Sequence, residues 1–567
     1  MPKSDPEQEL PQETDLIILG SGVAGLTAAL SASLSGLRCV VLEHSQKIGG
    51  TSAFSSGTVW VPDNSFMREA GMEDQSAAHR YIETLVGGRA PRNLWQRFLD
   101  IAPVMQANLA DRAGITFRPF KAAADYRQDI DGAAPGWRAL EPVAFDGRKL
   151  GPLFDRLAWP IPELMLFGKM MITRGEAALL LKADRSLSGA WLGIKLLTRY
   201  LRDRLFWKRG TRLVMGNALV ARLLDAVSKN GVSVFCNVSV TRLVRDDGKI
   251  TGVKLVGPGS VILATKGVVL AGGGFPSSEI WRARELPQPV AEFSPAAPGC
   301  VGKSIELGLD VGGVLGRSGV DNALWFPSSV MKRSDGSTAV YPHIVLDRAK
   351  PGSLIVNQSG QRFVNEAVSY HEFVRGMYRA NNSDVAIPAW MICTRAFIAK
   401  YGLGLVRPRT PFLGKYVRSG YLIKAPTILA LAEKLGIPST RLDETVRRFN
   451  GFARQGRDDD FHRAETIYDR GNGDANHRPN PCLGPIENGP FYAVKLYPTP
   501  LGTSRGLRAD IHARVLDQQS RPIEGLYVCG NDMQSPFGGE YPGAGAQLGP
   551  AMTFGWIAGQ HAAGREV

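Results

Sequence analysis

Apolar runs that break into glycine recur at both ends of the chain. Asp15-Leu-Ile-Ile-Leu-Gly-Ser-Gly-Val-Ala-Gly25 holds the uninterrupted run Leu16 to Leu19 before its glycines. A short continuous run bounded by glycine predicts a strand buried on both faces. The small and apolar residues that follow predict a helix from about Val23 to Ser35, and Arg38-Cys-Val-Val-Leu-Glu43 predicts a second strand. Asn230 to Val244 reads as strand, turn and strand, and Gly267-Val-Val-Leu-Ala-Gly-Gly-Gly-Phe275 as another buried strand running into glycines. Near the C-terminus, Gly525-Leu-Tyr-Val-Cys-Gly530 predicts a strand and Pro550 to His561 a helix. Strands alternating with helices predict the α/β class.

A different pattern occupies 150–213. Trp159 to Met171 is almost wholly apolar, with Glu163 and Lys169 as its charges. Leu187, Trp191, Ile194, Tyr200/Leu201 and Leu205 then fall near helical spacing, while Lys195, Arg199 and Arg202 line another face and Trp207-Lys-Arg-Gly-Thr-Arg212 closes the run. This is the pattern of a basic amphipathic helix on an anionic membrane surface. It also fits a helical hairpin packed on the protein's own surface with its cations solvated. No stretch reaches the length that crosses a bilayer.

The chain has 567 residues, long enough for two domains, and a formal charge of +14. No basic stretch interleaved with stacking aromatics points to nucleic acid, and the excess charge is concentrated between Ala158 and Leu213. Six scattered cysteines (39, 236, 300, 393, 482 and 529) form no CxxC pair, so their spacing predicts neither a disulfide framework nor a metal site. The polar start, Met1 to Thr14, has no secretory pattern, and the expected location is cytoplasmic, with the inner face of the cell membrane as the place a basic hairpin would dock.

Gly20-x-Gly22-x-x-Gly25 between strand and helix is a phosphate cradle. The first glycine allows the tight turn, the second lets backbone approach a pyrophosphate, and the third allows close helix–strand packing. Val23 and Ala24 open the helix whose amides face the phosphates. Glu43 lies 18 residues beyond Gly25, the distance of a carboxylate that grips ribose hydroxyls, and its charge argues against a 2′-phosphate. His44 follows it. A second small-residue loop, with Gly49, Gly50, Thr51, Ser52, Ser56 and Gly57, lies just past the acid. An NAD enzyme needs no loop there, whereas extended FAD runs past it, so the expected cofactor is FAD. Backbone around Val240 is expected over the adenine, and Gly273, Gly530, Asn531, Gly545 and Leu548 complete the expected set. No histidine or cysteine is placed for covalent attachment, so the FAD is expected to be non-covalent. The FAD-binding unit is expected over 12–300 and 490–567, with 301–489 as an inserted α+β substrate domain.

That middle region contains Lys350-Pro-Gly-Ser-Leu-Ile-Val-Asn-Gln-Ser-Gly-Gln-Arg-Phe-Val-Asn-Glu366, then Ala-Val-Ser-Tyr370. With Thr503-Ser-Arg-Gly-Leu507 and Gly525 to Gly530, it resembles the fumarate reductase-like flavoprotein superfamily along essentially the whole chain. The resemblance implies a Rossmann-like FAD-binding domain carrying a catalytic cap. Asn531 and Tyr541-Pro-Gly-Ala-Gly545 resemble the 3-ketosteroid Δ1-dehydrogenases in particular, and the His-Gly-Ala-x-Arg loop of soluble fumarate reductases is absent. Ser369 stands where that family is expected to carry proline.

The family's chemistry removes hydrogens from C1 and C2 beside a 3-ketone. The resemblance implies Tyr541 and the Gly545 amide as donors to the ketone oxygen, acting as an oxyanion hole. It implies Tyr370 as base at C2, which needs a lowered phenol pKa or a relay. Tyr126 is the best match to an assisting tyrosine, although the family often has two adjacent ones there. Flavin N5 is the implied hydride acceptor, and a quinone or similar compound the acceptor downstream. The hairpin suggests a bulky steroid such as cholest-4-en-3-one. Three other readings stay open: a 3-ketosteroid Δ4-(5α)-dehydrogenase, an α,β-unsaturated acid reductase, and a non-catalytic membrane-docked flavin-binding protein.

Overall fold

A computed structural model of the chain describes residues 9–162, 165–167, 169–180, 186–257, 260–319 and 321–566. Glu163 and parts of the 150–213 segment (164, 168 and 181–185) lie outside it, as does the polar start at 1–8.

The first layer is an eight-stranded sheet. Its centre is Glu13–Leu19, flanked in parallel by Cys39–Glu43 and Val261–Leu270. Ser233–Cys236 extends one side, and Pro522–Val528 joins the other beside Val261–Leu270. Leu16, Ile17 and Ile18 are fully buried, as an unbroken apolar run between parallel neighbours requires. An antiparallel pair, Val240–Asp246 and Lys249–Leu255, hangs from Val261–Leu270.

The two ends of the chain meet on one face of this sheet. Helix Val23–Ser33 packs against helix Leu548–Ala562, where a Cβ on Gly555 would come within 2.5 Å of the Ala24 carbonyl. Ser31 Oγ donates to the Trp556 carbonyl at 2.8 Å, and Gln560 Nε2 donates to Ser31 Oγ at 2.9 Å. The C-terminal helix is therefore locked to the helix that opens the phosphate cradle.

The second layer is a six-stranded sheet built on Phe491–Thr503, which pairs antiparallel with Ala323–Lys332 and Ala389–Thr394. Thr338–Pro342, Ser353–Val356 and Ile423–Ala425 complete it. Strand Phe491–Thr503 lies past the expected boundary at 490 yet pairs wholly within this sheet, so the chain rejoins the first layer only after Thr503. Helix Tyr370–Asn381 packs against Ala323–Lys332. Short helix Arg174–Leu180 packs against the longer Leu187–Phe206, which spans the stretch whose periodicity predicts a helix, whereas the apolar run Trp159 to Met171 contributes no long helix among its described residues. Among the described residues, no helix is long and apolar enough to cross a membrane.

Candidate active site

The residues expected around a cofactor gather at the carboxyl ends of the parallel strands, where ligands of open α/β sheets bind. Gly20 has φ 110°, and a Cβ there would stand 2.3 Å from the Ala271 carbonyl, so only glycine fits the turn. Ser52 Oγ accepts from the Val23 amide at 3.2 Å, which brings the second small-residue loop to the mouth of the first. Glu43 accepts from Ser21 N at 3.0 Å, Ser21 Oγ at 2.5 Å and Ser45 N at 2.8 Å, which leaves about one acceptor site of the carboxylate open. His44 Nδ1 lies 2.9 Å from Ser239 Oγ, and the Val238 amide donates to the Glu43 carbonyl, so the backbone near Val240 flanks the acid. Thr51 Oγ1 accepts from the Ala297 amide at 2.9 Å, and Ser56 Oγ donates to Thr58 Oγ1 at 2.9 Å. Gly273 faces Cys300, and Gly530 faces Ala24 across the sheet from Gly20. Leu548 opens the C-terminal helix, and Gly49, Gly50 and Gly57 take positive φ in the second loop.

Two features here have no counterpart in the motif reading. Buried Asp532 accepts from the amides of Gly272 and Gly274, holding the glycine loop after Val261–Leu270, and burial lifts its pKa to about 6. Gln547 Nε2 is buried without a hydrogen-bond partner, beside Asn531 Nδ2 over Gly502. A donor left unpaired in a cradle of glycines and helix N-termini suits a bound ligand rich in acceptors, and FAD is one.

Next to this cradle three tyrosines meet. Tyr126 donates its hydroxyl to the Tyr370 hydroxyl at 2.9 Å. The rings of Tyr126 and Tyr541 stack at 5.4 Å between centroids, and Tyr370 stands edge-on to both at 5.5 Å. Phe326 packs against Tyr370 at 4.5 Å and Tyr468 against Tyr126 at 5.0 Å, walling the group with aromatic surface. All three rings are buried. The Gly545 amide, four residues past Tyr541, meets no acceptor among the described residues, while its carbonyl accepts from Trp60 N at 3.2 Å.

Local sequence explains each placement. Tyr370 is the first residue of its helix because Ser369, in the expected proline position, caps it by accepting from Glu372 N at 3.2 Å. The Arg-Phe-x-Asn-Glu stretch before it is an anchor: Arg362 pairs with Glu366 and Asp458 at 2.7 Å each, and Arg463 reaches Glu366 at 3.2 Å. Tyr126 follows buried Asp125, which takes Arg138 at 2.6 Å and Trp60 Nε1 at 2.9 Å. The Pro542 carbonyl accepts from Tyr126 N at 2.9 Å and from the Tyr81 hydroxyl at 2.7 Å, tying the Tyr541 loop to the Tyr126 loop.

The FAD binding domain family model matches residues 15–548. A 3-oxosteroid 1-dehydrogenase of Mycolicibacterium smegmatis is 35% identical over 96% of this chain and 96% of its own. A 4-oxocyclohexanecarboxylate 2-dehydrogenase of Sinomonas cyclohexanicum is 36% identical over 97% of this chain and 93% of its own. The crystal structure of a 3-ketosteroid Δ1-dehydrogenase from Sterolibacterium denitrificans, in complex with 1,4-androstadiene-3,17-dione, superposes with a TM-score of 0.91 at 34% identity, covering 98% of this chain and 100% of that one. The chain belongs to the 3-ketosteroid Δ1-dehydrogenase family of FAD-binding flavoproteins.

Electrostatics divides the roles available to the tyrosines in this Δ1-dehydrogenase family member. Burial, reinforced by the Tyr126 and Tyr541 hydroxyls, holds Tyr370 well above the ordinary phenol value of 10.0. Tyr541 is pushed up to about 12, again by burial. A phenol with so high a pKa keeps its proton and stays a donor. Tyr370 as an anion is scarce but strongly basic. The lowered phenol pKa expected for a base at this position is not what the surroundings of Tyr370 produce. His371 is also buried, and burial with the nearby Arg375 charge lowers its pKa to about 3, leaving a neutral ring beside Tyr541.

A rising alkaline limb follows. Turnover should increase with pH from neutrality up to the ordinary phenol value of 10.0, because the basic form of Tyr370 grows while Tyr541 stays protonated below about 12. Initial rates with saturating acceptor check this, and a rate that is flat or falling over that range contradicts it.

Proposed function

We propose that the chain catalyses FAD-dependent 1,2-desaturation of 3-ketosteroids, acting as a 3-oxosteroid 1-dehydrogenase. The observation that carries this reading is the junction of Tyr126, Tyr370 and Tyr541 in one buried aromatic cluster, next to the cofactor cradle and the Gly545 amide, which meets no acceptor among the described residues. The Tyr541 hydroxyl and the Gly545 N–H donate to the 3-oxygen and stabilise the negative charge that develops there, worth about 3–4 kcal/mol per donor in comparable oxyanion sites. The Tyr370 oxygen takes the C2 proton, and Tyr126 supports it by donation. FAD, when bound, supplies the acceptor for the C1 hydride, with a quinone or similar compound as the downstream oxidant. The walls of Phe326 and Tyr468 suit a flat apolar ring system, and they exclude water from the proton-transfer site.

Division of labour follows the two layers, with the first holding FAD and the second forming the cap over the steroid. Anaerobic titration of the purified holoenzyme with 4-androstene-3,17-dione and cholest-4-en-3-one tests the reading. Flavin bleaching with a 1,4-diene product is expected, and Tyr541→Phe should slow it about 100-fold or more. Bleaching only with a 5α-3-ketosteroid would move the assignment to Δ4-(5α) chemistry, and no bleaching with any of them would overturn the catalytic reading.

We further propose that helix Leu187–Phe206 docks on an anionic phospholipid surface, at the inner face of the cell membrane, and admits a lipid-soluble steroid from it. Leu187, Trp191, Ile194, Leu201 and Leu205 form one apolar stripe, each more than half exposed, with Leu187 at 92%. Lys195 and Arg202 are exposed on the same helix and Lys208 just beyond it. A stripe that wide with cations beside it fits the lipid interface better than bulk water. Co-sedimentation checks this: the protein should pellet with vesicles containing anionic lipid and far less with zwitterionic ones. Trp191→Ser with Ile194→Ser should remain in the supernatant while oxidising 4-androstene-3,17-dione normally. Equal partition of both proteins would contradict the docking.

A further inference from the structure

The clamp residue proposed above, Tyr541, sits in an irregular loop near the C-terminus, whereas the base, Tyr370, opens a helix of the second layer. Their hydroxyls work as a pair only if loop and helix are held in register. That register is set by two side chains on one face of helix Tyr370–Asn381, His371 and, four residues on, Arg375.

His371 is fully buried and bridges three segments. Its Nδ1 accepts from the Trp325 amide at 3.3 Å, and its Nε2 meets the Gly539 carbonyl at 3.1 Å. An amide N–H can only donate and a carbonyl can only accept, so these partners assign the ring proton to Nε2. Arg375 donates to the same Gly539 carbonyl at 3.0 Å and to Glu540 at 2.7 Å. It also donates from Nε to Asp321 at 2.5 Å and from Nη1 to Glu372 at 2.6 Å. Asp321 in turn takes Trp325 Nε1 at 2.9 Å. Gly539 has φ 91°, and a Cβ there would come within 2.3 Å of the Asp321 carbonyl, so only glycine fits the backbone that presents this carbonyl to both donors. The His371 ring also packs against the Tyr541 ring at 5.7 Å between centroids.

We infer that His371 and Arg375 are positioning residues: through the Gly539 carbonyl and Glu540 they hold Tyr541 at the distance from Tyr370 that the reaction needs. The inference rests on the role proposed for Tyr541. Neither side chain touches the reacting atoms, so substrate binding by the aromatic walls survives their loss while the chemical step slows. A misplacement of about 1 Å in such a constellation costs about 100-fold in rate.

The test compares holoenzymes carrying His371→Leu, His371→Gln and Arg375→Met, each also combined with Tyr541→Phe. For His371→Leu and Arg375→Met, kcat should fall about 100-fold with KM and flavin content nearly unchanged. His371→Gln should recover most of the rate, since its amide can donate to the Gly539 carbonyl and accept from Trp325. In the Tyr541→Phe background the same substitutions should cost little more, because the group they position is gone. Full multiplication of the two losses, or an unchanged kcat in the single variants, would overturn the inference. Wild-type enzyme assayed in parallel separates failure of the proposed function from failure of this one. Where wild type turns over no ketone, amide hydrogen exchange decides instead: exchange at Gly539 to Tyr541 should quicken in His371→Leu, and an unchanged rate there would overturn it.

Discussion

Two phenol oxygens 2.9 Å apart, those of Tyr126 and Tyr370, join segments 244 residues apart in the chain, and the remaining geometry serves to keep them there beside Tyr541. A hydroxyl pair in water gains almost nothing from such a contact. Inside an aromatic cluster each phenol must find its partner or leave a buried polar group unsatisfied. The bond thus depends on the loops that carry it being rigid, and those loops are irregular backbone that apolar packing alone does not position.

Arginine–carboxylate pairs do that positioning, two of them next to a tyrosine in sequence and one a helical turn before it. Asp125, paired with Arg138, precedes Tyr126. Glu540, paired with Arg375, precedes Tyr541. Glu366, paired with Arg362 and Arg463, lies four residues before Tyr370. Buried ion pairs are poor sources of net stability compared with apolar packing of the same volume, but removal of one partner is severe, costing about 3–5 kcal/mol. Their use here fits specification of geometry more than bulk stability. The Pro542 carbonyl, shared by Tyr81 and Tyr126, closes the arrangement.

Much of the cofactor side was legible from residue order because its rules are local. Gly20, Gly22, Gly25 and Glu43 must stand at set spacings around one strand–helix turn, and the spacing survives into the structure as a cradle. The three tyrosines came from resemblance to a family, and the periodicity found helix Leu187–Phe206. What could not be read is what depends on contacts between distant segments. His371 and Arg375 look like solvated helix positions until Gly539 is placed beside them. Asp532 and Gln547 had no local pattern to mark them. Strand Phe491–Thr503 was assigned to the wrong layer for the same reason, since strand partners are chosen across the fold and not along the chain.

In the proposed reaction a ketone oxygen is received by Tyr541 and Gly545 while Tyr370 faces the adjacent carbon. The most direct measurement is a crystal structure of the holoenzyme with a 3-keto-1,4-diene steroid bound. The 3-oxygen is expected within about 3 Å of both the Tyr541 hydroxyl and the Gly545 amide nitrogen, with the Tyr370 oxygen over C2. A steroid whose ketone points away from this pair, or whose C4–C5 edge faces Tyr370, would contradict it.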